Sequence, residues 1–250
     1  MPATVVNDWL SSGRNACIGS ALLKPVEHGL VPGMALSVQR GQAEAFWLEA
    51  ADGTAWIVKK FHQGLSPDRN YLEHVSKLLP THESFRSGTG RRILSAGMLR
   101  PDAACHYHPD LDAWLDGTVL MPVIDGVDWV SLSDELRAGA VVLAPAHRIA
   151  LCQALSELVL LLEQSGCCHR DLSGGNVFIV IALLAVALID FDSLYHPSLS
   201  LPEVTTCGTA GYAPPYAWHD GALSADATWC AHADRYALAI LNAEFLAFGP

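Results

Sequence analysis

His169-Arg170-Asp171-Leu172-Ser173-Gly174-Gly175-Asn176 is followed by an unbroken apolar run from Val177 to Ile189, and then by Asp190-Phe191-Asp192. The run has thirteen residues, too few to cross a bilayer as a helix. Asn176 and Asp190 bracket it, which suits two buried strands joined by a turn. Asp and Asn favour turns because their short side chains bond nearby backbone. Upstream, Ile149, Cys152, Leu155, Leu158, Val159 and Leu162 share one helical face from about Pro145 to Gln164. Gly166 is positioned to stop that helix.

Working outward toward the N-terminus, the period changes. Ala45-Phe46-Trp47-Leu48 and Ala55-Trp56-Ile57-Val58 flank Ala51-Asp52-Gly53-Thr54, and Asp-Gly between apolar runs signals a hairpin. Asn70 to Leu79 reads as a helix stopped by Pro80. Residues 86–118 read as further short strands, and Thr118 to Ile124 as an apolar strand ending in Asp125-Gly126. Residues 1 to about 30 show no clear period and read as an N-terminal extension or a first small element. Toward the C-terminus, 191–219 is a loop rich in Gly, Pro, Ser and Thr, and Asp234 to Phe248 an apolar helix. The order gives an α+β chain: a β-rich lobe over about 31–124, a mainly helical lobe over about 125–250, and a ligand cleft expected between them.

The composition narrows the function classes. The 250 residues carry 15 Lys and Arg against 26 Asp and Glu, a formal charge of −11, with 51% apolar and 16% charged residues. Such a chain folds rather than staying disordered. An acidic chain of pI near 5.3 argues against broad binding to nucleic acid or an anionic membrane. The seven cysteines form no CxxC pair and are odd in number, so they read as buried thiols in a reducing compartment. Cys105, His106 and His108 make a partial metal set with no fourth ligand in view. The first residues lack the basic and apolar regions of a secretion signal. A cytoplasmic protein with no membrane span is expected.

His-Arg-Asp with Asn five positions after the Asp, then a strand pair ending in Asp190, resembles the catalytic and metal-binding loops of the protein-kinase family. Trp56-Ile57-Val58-Lys59 resembles that family's lysine strand. Gly208-Thr209-Ala210-Gly211-Tyr212-Ala213-Pro214-Pro215-Tyr216 resembles the end of its activation segment, and Asp234 to Leu241 its buried anchoring helix. The motifs keep the family's order over about residues 34–250. Asp-Leu-Ser-Gly-Gly-Asn and Ile-Asp-Phe-Asp-Ser look most like a bacterial branch with D-x-D-S in place of D-F-G.

The resemblance implies a bilobal kinase-like fold, ATP and Mg²⁺ as cofactors, and a protein substrate with Ser or Thr hydroxyls. It implies Asp171 as catalytic base, Asn176 and Asp190 as Mg²⁺ ligands, and Lys59 on the α- and β-phosphates. Strand alternation lets only one of Lys59 and Lys60 face the nucleotide. Glu73 is the expected partner of Lys59, with Glu83 as substitute. Thr118 to Asp125 resembles the hinge, with Met121 behind the base, the Val123 N–H and Pro122 carbonyl facing it, and Asp128 near the ribose. Arg170 is a candidate receptor for a phosphate on Ser193, Ser198, Thr205, Thr206 or Thr209.

The chain also departs from the family. Gln39-Arg40-Gly41-Gln42-Ala43-Glu44-Ala45-Phe46 keeps one glycine, Gly41, where the phosphate loop has three, and Glu44 at a glycine position would repel phosphate. Asp192 replaces a glycine, Ser173 a lysine, and Tyr216 a glutamate. The C-lobe looks truncated at Pro250, from which exposed apolar surface and self-association are expected. Two other readings stay open: a pseudokinase or scaffold, and a small-molecule kinase of the aminoglycoside-phosphotransferase type.

Overall fold

Residues 2–101, 104–205 and 208–247 are described from a computed structural model. In chain order the elements are α1 (Pro2–Ser11), β1 (Ala16–Ile18), β2 (Ala21–Pro25), β3 (Ser37–Arg40), β4 (Ala43–Ala50) and β5 (Ala55–Phe61). Next come α2 (Arg69–Leu78), α3 (Arg86–Thr89), β6 (Arg92–Ile93), α4 (Pro109–Leu115), β7 (Val119–Pro122) and β8 (Val127–Asp128). The remainder is α5 (Trp129–Arg137), α6 (Pro145–Gln164), β9 (Val177–Val180), β10 (Ala185–Leu188), β11 (Trp218–His219), β12 (Ala222–Leu223) and α7 (Asp234–Ala247). The chain divides into two compact units, residues 1–69 with 90–123 and residues 70–89 with 124–250.

The first unit is built on an antiparallel sheet in the order β1-β2-β4-β5-β7-β6, with β3 also paired to β4. The β4–β5 hairpin forms where Asp52-Gly53 predicts it: Gly53 takes φ +83°, and Asp52 Oδ1 accepts from the Thr54 N–H at 2.9 Å. One sheet face carries Phe46, Leu48, Val58 and Leu120 into a core closed by Val6 and Trp9 of α1 and by Leu111, Trp114 and Leu115 of α4. Alternation sends Ala45, Trp47, Ile57 and Lys59 to the other face.

Two expectations change here. Residues 1–30 are no extension: Val6 and Trp9 are fully buried in the core, and β1 and β2 are strands of the sheet. Their elements are short, so no period rises above noise. Among the described residues of 86–118 there is one two-residue strand, β6, which pairs with β7, and helices α3 and α4 lie between Arg86 and Leu115. His108 caps α4 by accepting from the Asp110 N–H at 3.2 Å, and Pro109 fills the first helical position.

The second unit packs α6 against α7 and β10. Leu151, Leu155, Leu158, Val159 and Leu162 are its buried stripe on α6, and Gly166 ends the helix with φ +74°. Arg235 forks onto Glu163, its Nε and Nη2 each 2.8 Å from a carboxylate oxygen, and staples α7 to α6. The apolar run 177–189 becomes the antiparallel pair β9–β10, turned through Leu184 at φ +50°. Helix α2 carries Tyr71, Leu72 and Val75 into this unit, so residues 70–89 belong here and not with the β-rich unit. By length and composition α6 is long and apolar enough to cross a membrane, but its leucine stripe is spent on this core.

Candidate active site

The turn 169–176 hangs from one buried carboxylate. Asp234, 3% exposed at the head of α7, accepts the His169 N–H at 2.6 Å on Oδ2 and the Arg170 N–H at 2.8 Å on Oδ1. Those bonds hold Arg170 at φ +66°, a left-handed conformation that a side chain adopts at a cost of about 1–2 kcal/mol. The His169 ring is fully buried, 4.9 Å from the Phe191 ring, with Nε2 2.7 Å from the Ile189 carbonyl. That bond requires the proton on Nε2. Nδ1 is buried with no partner, so His169 is a strap between two loops.

The strap brings the polar groups together. Asn176 Nδ2 donates to the Asp171 carbonyl at 2.8 Å and to Asp171 Oδ2 at 3.3 Å. The Asn176 carbonyl accepts the Ile189 N–H at 3.0 Å. Asp190, the next residue, leaves β10 in the left-handed region at φ +63°. Asn176 is therefore bonded through its side chain to Asp171 and through its backbone to the residue before Asp190. The Asn176 amide nitrogen is committed to Asp171, so its Oδ1 is the end presented elsewhere. An amide oxygen and a carboxylate such as that of Asp190 are hard donors, the kind that Mg²⁺ takes. Asp192 is 8% exposed in the turn that follows.

Thr209 is a neighbour of Asp171 that the fold alone supplies. Its hydroxyl donates to Asp171 Oδ1 at 2.8 Å, across 38 residues of sequence that no local pattern bridges. Tyr212, in the same segment, donates to both oxygens of Glu244 at 3.1 and 3.0 Å, and Trp129 Nε1 reaches Glu244 Oε2 at 2.8 Å. Burial, and then the Glu244 charge, push the Tyr212 phenol up to about 12, so it stays a donor. Gly174 fits beneath this cluster, where a Cβ would stand 3.0 Å from the Tyr212 hydroxyl.

In the first unit the two lysines of β5 separate as alternation requires. Lys60 Nζ donates to the Trp114 and Asp116 carbonyls at 2.6 and 2.8 Å, at the end of α4. Burial lowers its pKa against the opposing pull of Asp116. Lys59 is half-buried on the other face, paired in register with Ala45 and Val119, its Nζ 5.1 Å from the centre of the Phe61 ring. Glu73 is exposed on α2 in the second unit, and Glu83 pairs with Arg86 at 3.4 Å.

Several expected contacts are revised. The Val123 N–H donates to the Ala55 carbonyl at 3.1 Å and is not available to a base, while Met121 is half-buried opposite Ile57. Asp128 caps α5, its two oxygens accepting from the Ser131 N–H at 3.1 Å and hydroxyl at 2.7 Å. Gly41 and Gln42 form a two-residue turn between β3 and β4. The residue paired with Lys59 is Ala45, so Phe46 and Glu44 point to the opposite face. Glu44 is 5% exposed, with the Ser37 hydroxyl 3.4 Å away, so it cannot act as the phosphate-repelling tip expected of it. Arg170 is buried and already donates to the Thr228 and Ser193 carbonyls. Thr206 lies outside the described residues.

Among the described residues no three His, Cys, Asp or Glu side chains gather as a metal site, which removes the Cys105-His106-His108 set. Six described cysteines are free thiols. Burial raises Cys167 to about 11 and Cys168 well above its ordinary value, which suppresses their nucleophilicity.

Among solved structures the chain is similar to the Mycobacterium tuberculosis PknI kinase domain. A point mutant of that domain superposes with a TM-score of 0.55 at 17% identity, over 91% of this chain and 75% of that one. The PknI kinase domain in a second structure gives 0.53 at 18%, over 85% and 72%. The fold is protein-kinase-like. No family model matches the chain, and no curated protein does.

Proposed function

We propose that this chain is an ATP- and Mg²⁺-dependent phosphotransferase acting on Ser or Thr hydroxyls of a protein, in the reducing cytoplasm of a bacterium. The observation that carries the reading is the joining of Asp171, Asn176 and the strand end before Asp190 by side-chain and backbone bonds, all suspended from Asp234. Phosphoryl transfer asks little covalent work of the protein; it needs placed charge and an oriented hydroxyl. Asp171 orients the acceptor hydroxyl and takes its proton. Asn176 holds the loop in register and offers Oδ1, with the Asp190 carboxylate, to the metal. Bound Mg²⁺ neutralises charge on the phosphate oxygens. Lys59 supplies a point charge to the α- and β-phosphates, a role supported by the commitment of Lys60 to the α4 carbonyls. The test is transfer of γ-phosphate from ATP with Mg²⁺ to a generic protein acceptor. Wild type should transfer, and Asp171→Asn should lose about 10²–10⁴-fold. Transfer that survives Asp171→Asn unchanged defeats the reading.

A second reading, a pseudokinase that binds nucleotide weakly, is favoured by two features of the first unit. The β3–β4 connection is a two-residue turn with a single glycine, and the Val123 N–H is spent inside the sheet. A thermal-shift titration with ATP and Mg²⁺ separates the two: saturable stabilisation without transfer, or none at all, supports the second.

A further inference from the structure

Arg170 has five N–H donors, and backbone carbonyls and threonine hydroxyls accept from all three of its nitrogens. Nε donates to the Thr228 carbonyl at 3.0 Å. Nη1 donates to the Ser193 carbonyl at 3.0 Å and the Thr205 hydroxyl at 3.2 Å. Nη2 donates to the Ala225 carbonyl at 3.1 Å and the Thr228 hydroxyl at 3.1 Å. The guanidinium carbon lies 4.7 Å from the centre of the Trp229 ring, and Trp229 in turn packs edge-on to Tyr195 at 5.2 Å. Arg170 is 4% exposed and Thr228 2%.

The guanidinium fork is rigid and planar, so its acceptors must converge from fixed directions. Here they converge from both ends of the segment that begins after Phe191 and ends before α7. Ser193 and Thr205 hold one end, and the turn Ala225–Trp229 the other. The same residue's N–H is bound to Asp234, and its carbonyl carbon begins the link to Asp171. Ordering of the segment and placement of Asp171 are thus joined through one side chain. A phosphate arriving at Thr205 would find every N–H of Arg170 already bonded and the aromatic face covered. It would have to displace existing bonds and bring its own charge out of water into a closed site, and that desolvation opposes the exchange.

We propose that the Ala225–Trp229 turn is a built-in substitute for an activating phosphate: it holds Arg170, and through it residues 193–205 and Asp171, in working order without phosphorylation of those residues. The inference concerns regulation of the phosphotransfer proposed above and rests on that reading. Thr228 and Trp229 are then positioning residues.

The test uses the full chain, treated with phosphatase until intact mass shows no phosphate. Two readouts are taken: initial γ-phosphate transfer to a generic protein acceptor, and amide hydrogen exchange over 191–230. Phosphate-free protein should transfer within about twofold of protein preincubated with ATP, and its 191–205 amides should be protected equally in both forms. Thr228→Val removes one acceptor while keeping shape. It should lower kcat about tenfold and loosen 191–205, with KM for ATP unchanged and Thr228→Ser restoring both. A phosphate-free protein that loses tenfold or more and recovers on preincubation overturns the proposal. So does exchange protection that appears only after phosphorylation. If no form transfers phosphate, the phosphotransferase reading fails, and the anchor is judged by exchange in the variant alone: 191–205 loosened in Thr228→Val and restored in Thr228→Ser upholds it, while protection equal to wild type in Thr228→Val overturns it.

Discussion

The Thr209 hydroxyl, 2.8 Å from Asp171 Oδ1, fixes one carboxylate oxygen while the Asn176 amide, 3.3 Å from Oδ2, fixes the other. A carboxylate held from both sides has one orientation, and a general base works only in the right one. Thr209→Val should therefore lower kcat about tenfold, the value of one lost hydrogen bond to a charged group. KM for ATP should stay unchanged. Thr209→Ser keeps the hydroxyl and should recover most of the rate. Steady-state kinetics on the three forms checks this, and a valine variant as fast as wild type removes Thr209 from the site.

Lys59 and Lys60 are neighbours in sequence on opposite faces of β5, and the proposed function gives the nucleotide to Lys59. Lys60 satisfies two carbonyls at the end of α4, so Lys60→Ala should cost stability, about 1–2 kcal/mol after allowing for solvent screening, and change transfer little. Lys59→Ala should leave the melting temperature nearly unchanged and abolish transfer. Thermal unfolding beside a transfer assay separates them. The reverse pattern would mean that the other face of β5 serves the nucleotide.

What could be read in the sequence followed from local rules. The Pro145–Gln164 helix, the Asp52-Gly53 hairpin and the 177–189 strand pair each carry their period or turn residues within a short window. The turn 169–176 was legible because its polar residues sit between apolar neighbours. The misreadings have equally physical causes. Residues 1–30 and α4 are short elements whose burial depends on partners far away, such as Trp9 against the same core as Trp114. The buried face of β4 is not encoded locally: Ala43-Glu44-Ala45-Phe46 shows which side is buried only once Phe46 meets Trp114 at 5.6 Å. The availability of the Val123 N–H, the Asp128 cap and the Thr209 contact are pairings that no spacing encodes.

Gly88 has no room for a side chain. A Cβ there would collide with Leu79 and stand 2.6 Å from the Phe191 ring, which packs edge-on to Phe85 at 6.0 Å and touches His169. Gly88→Ala should lower stability by about 1–3 kcal/mol through overpacking. Because Phe191 follows Asp190, the strain should also reduce transfer. Gly41→Ala is the control: nothing lies within 4 Å of its Cβ position and its φ is not in the left-handed region, so stability should hold. Thermal melts and transfer rates of the two variants test the contrast.

Acid should undo the α6–α7 staple in a defined window. The hydrogen bonds from Arg235 hold the Glu163 carboxyl below its ordinary 4.5, with burial opposing and the charges of Arg235 and His232 adding to the effect. A carboxyl whose pKa is lower folded than unfolded contributes stability that is complete above the unfolded value. That contribution fades as pH falls toward and through the folded value. Glu163→Gln removes the charge at every pH. The variant should melt roughly two degrees below wild type at pH 7, and the gap should persist to about pH 5 and then close as pH drops past 4. Melting curves of both proteins from pH 7 to pH 3 supply the measurement. A gap that stays constant down to pH 3 would mean that shape, not charge, joins α7 to α6 at this point.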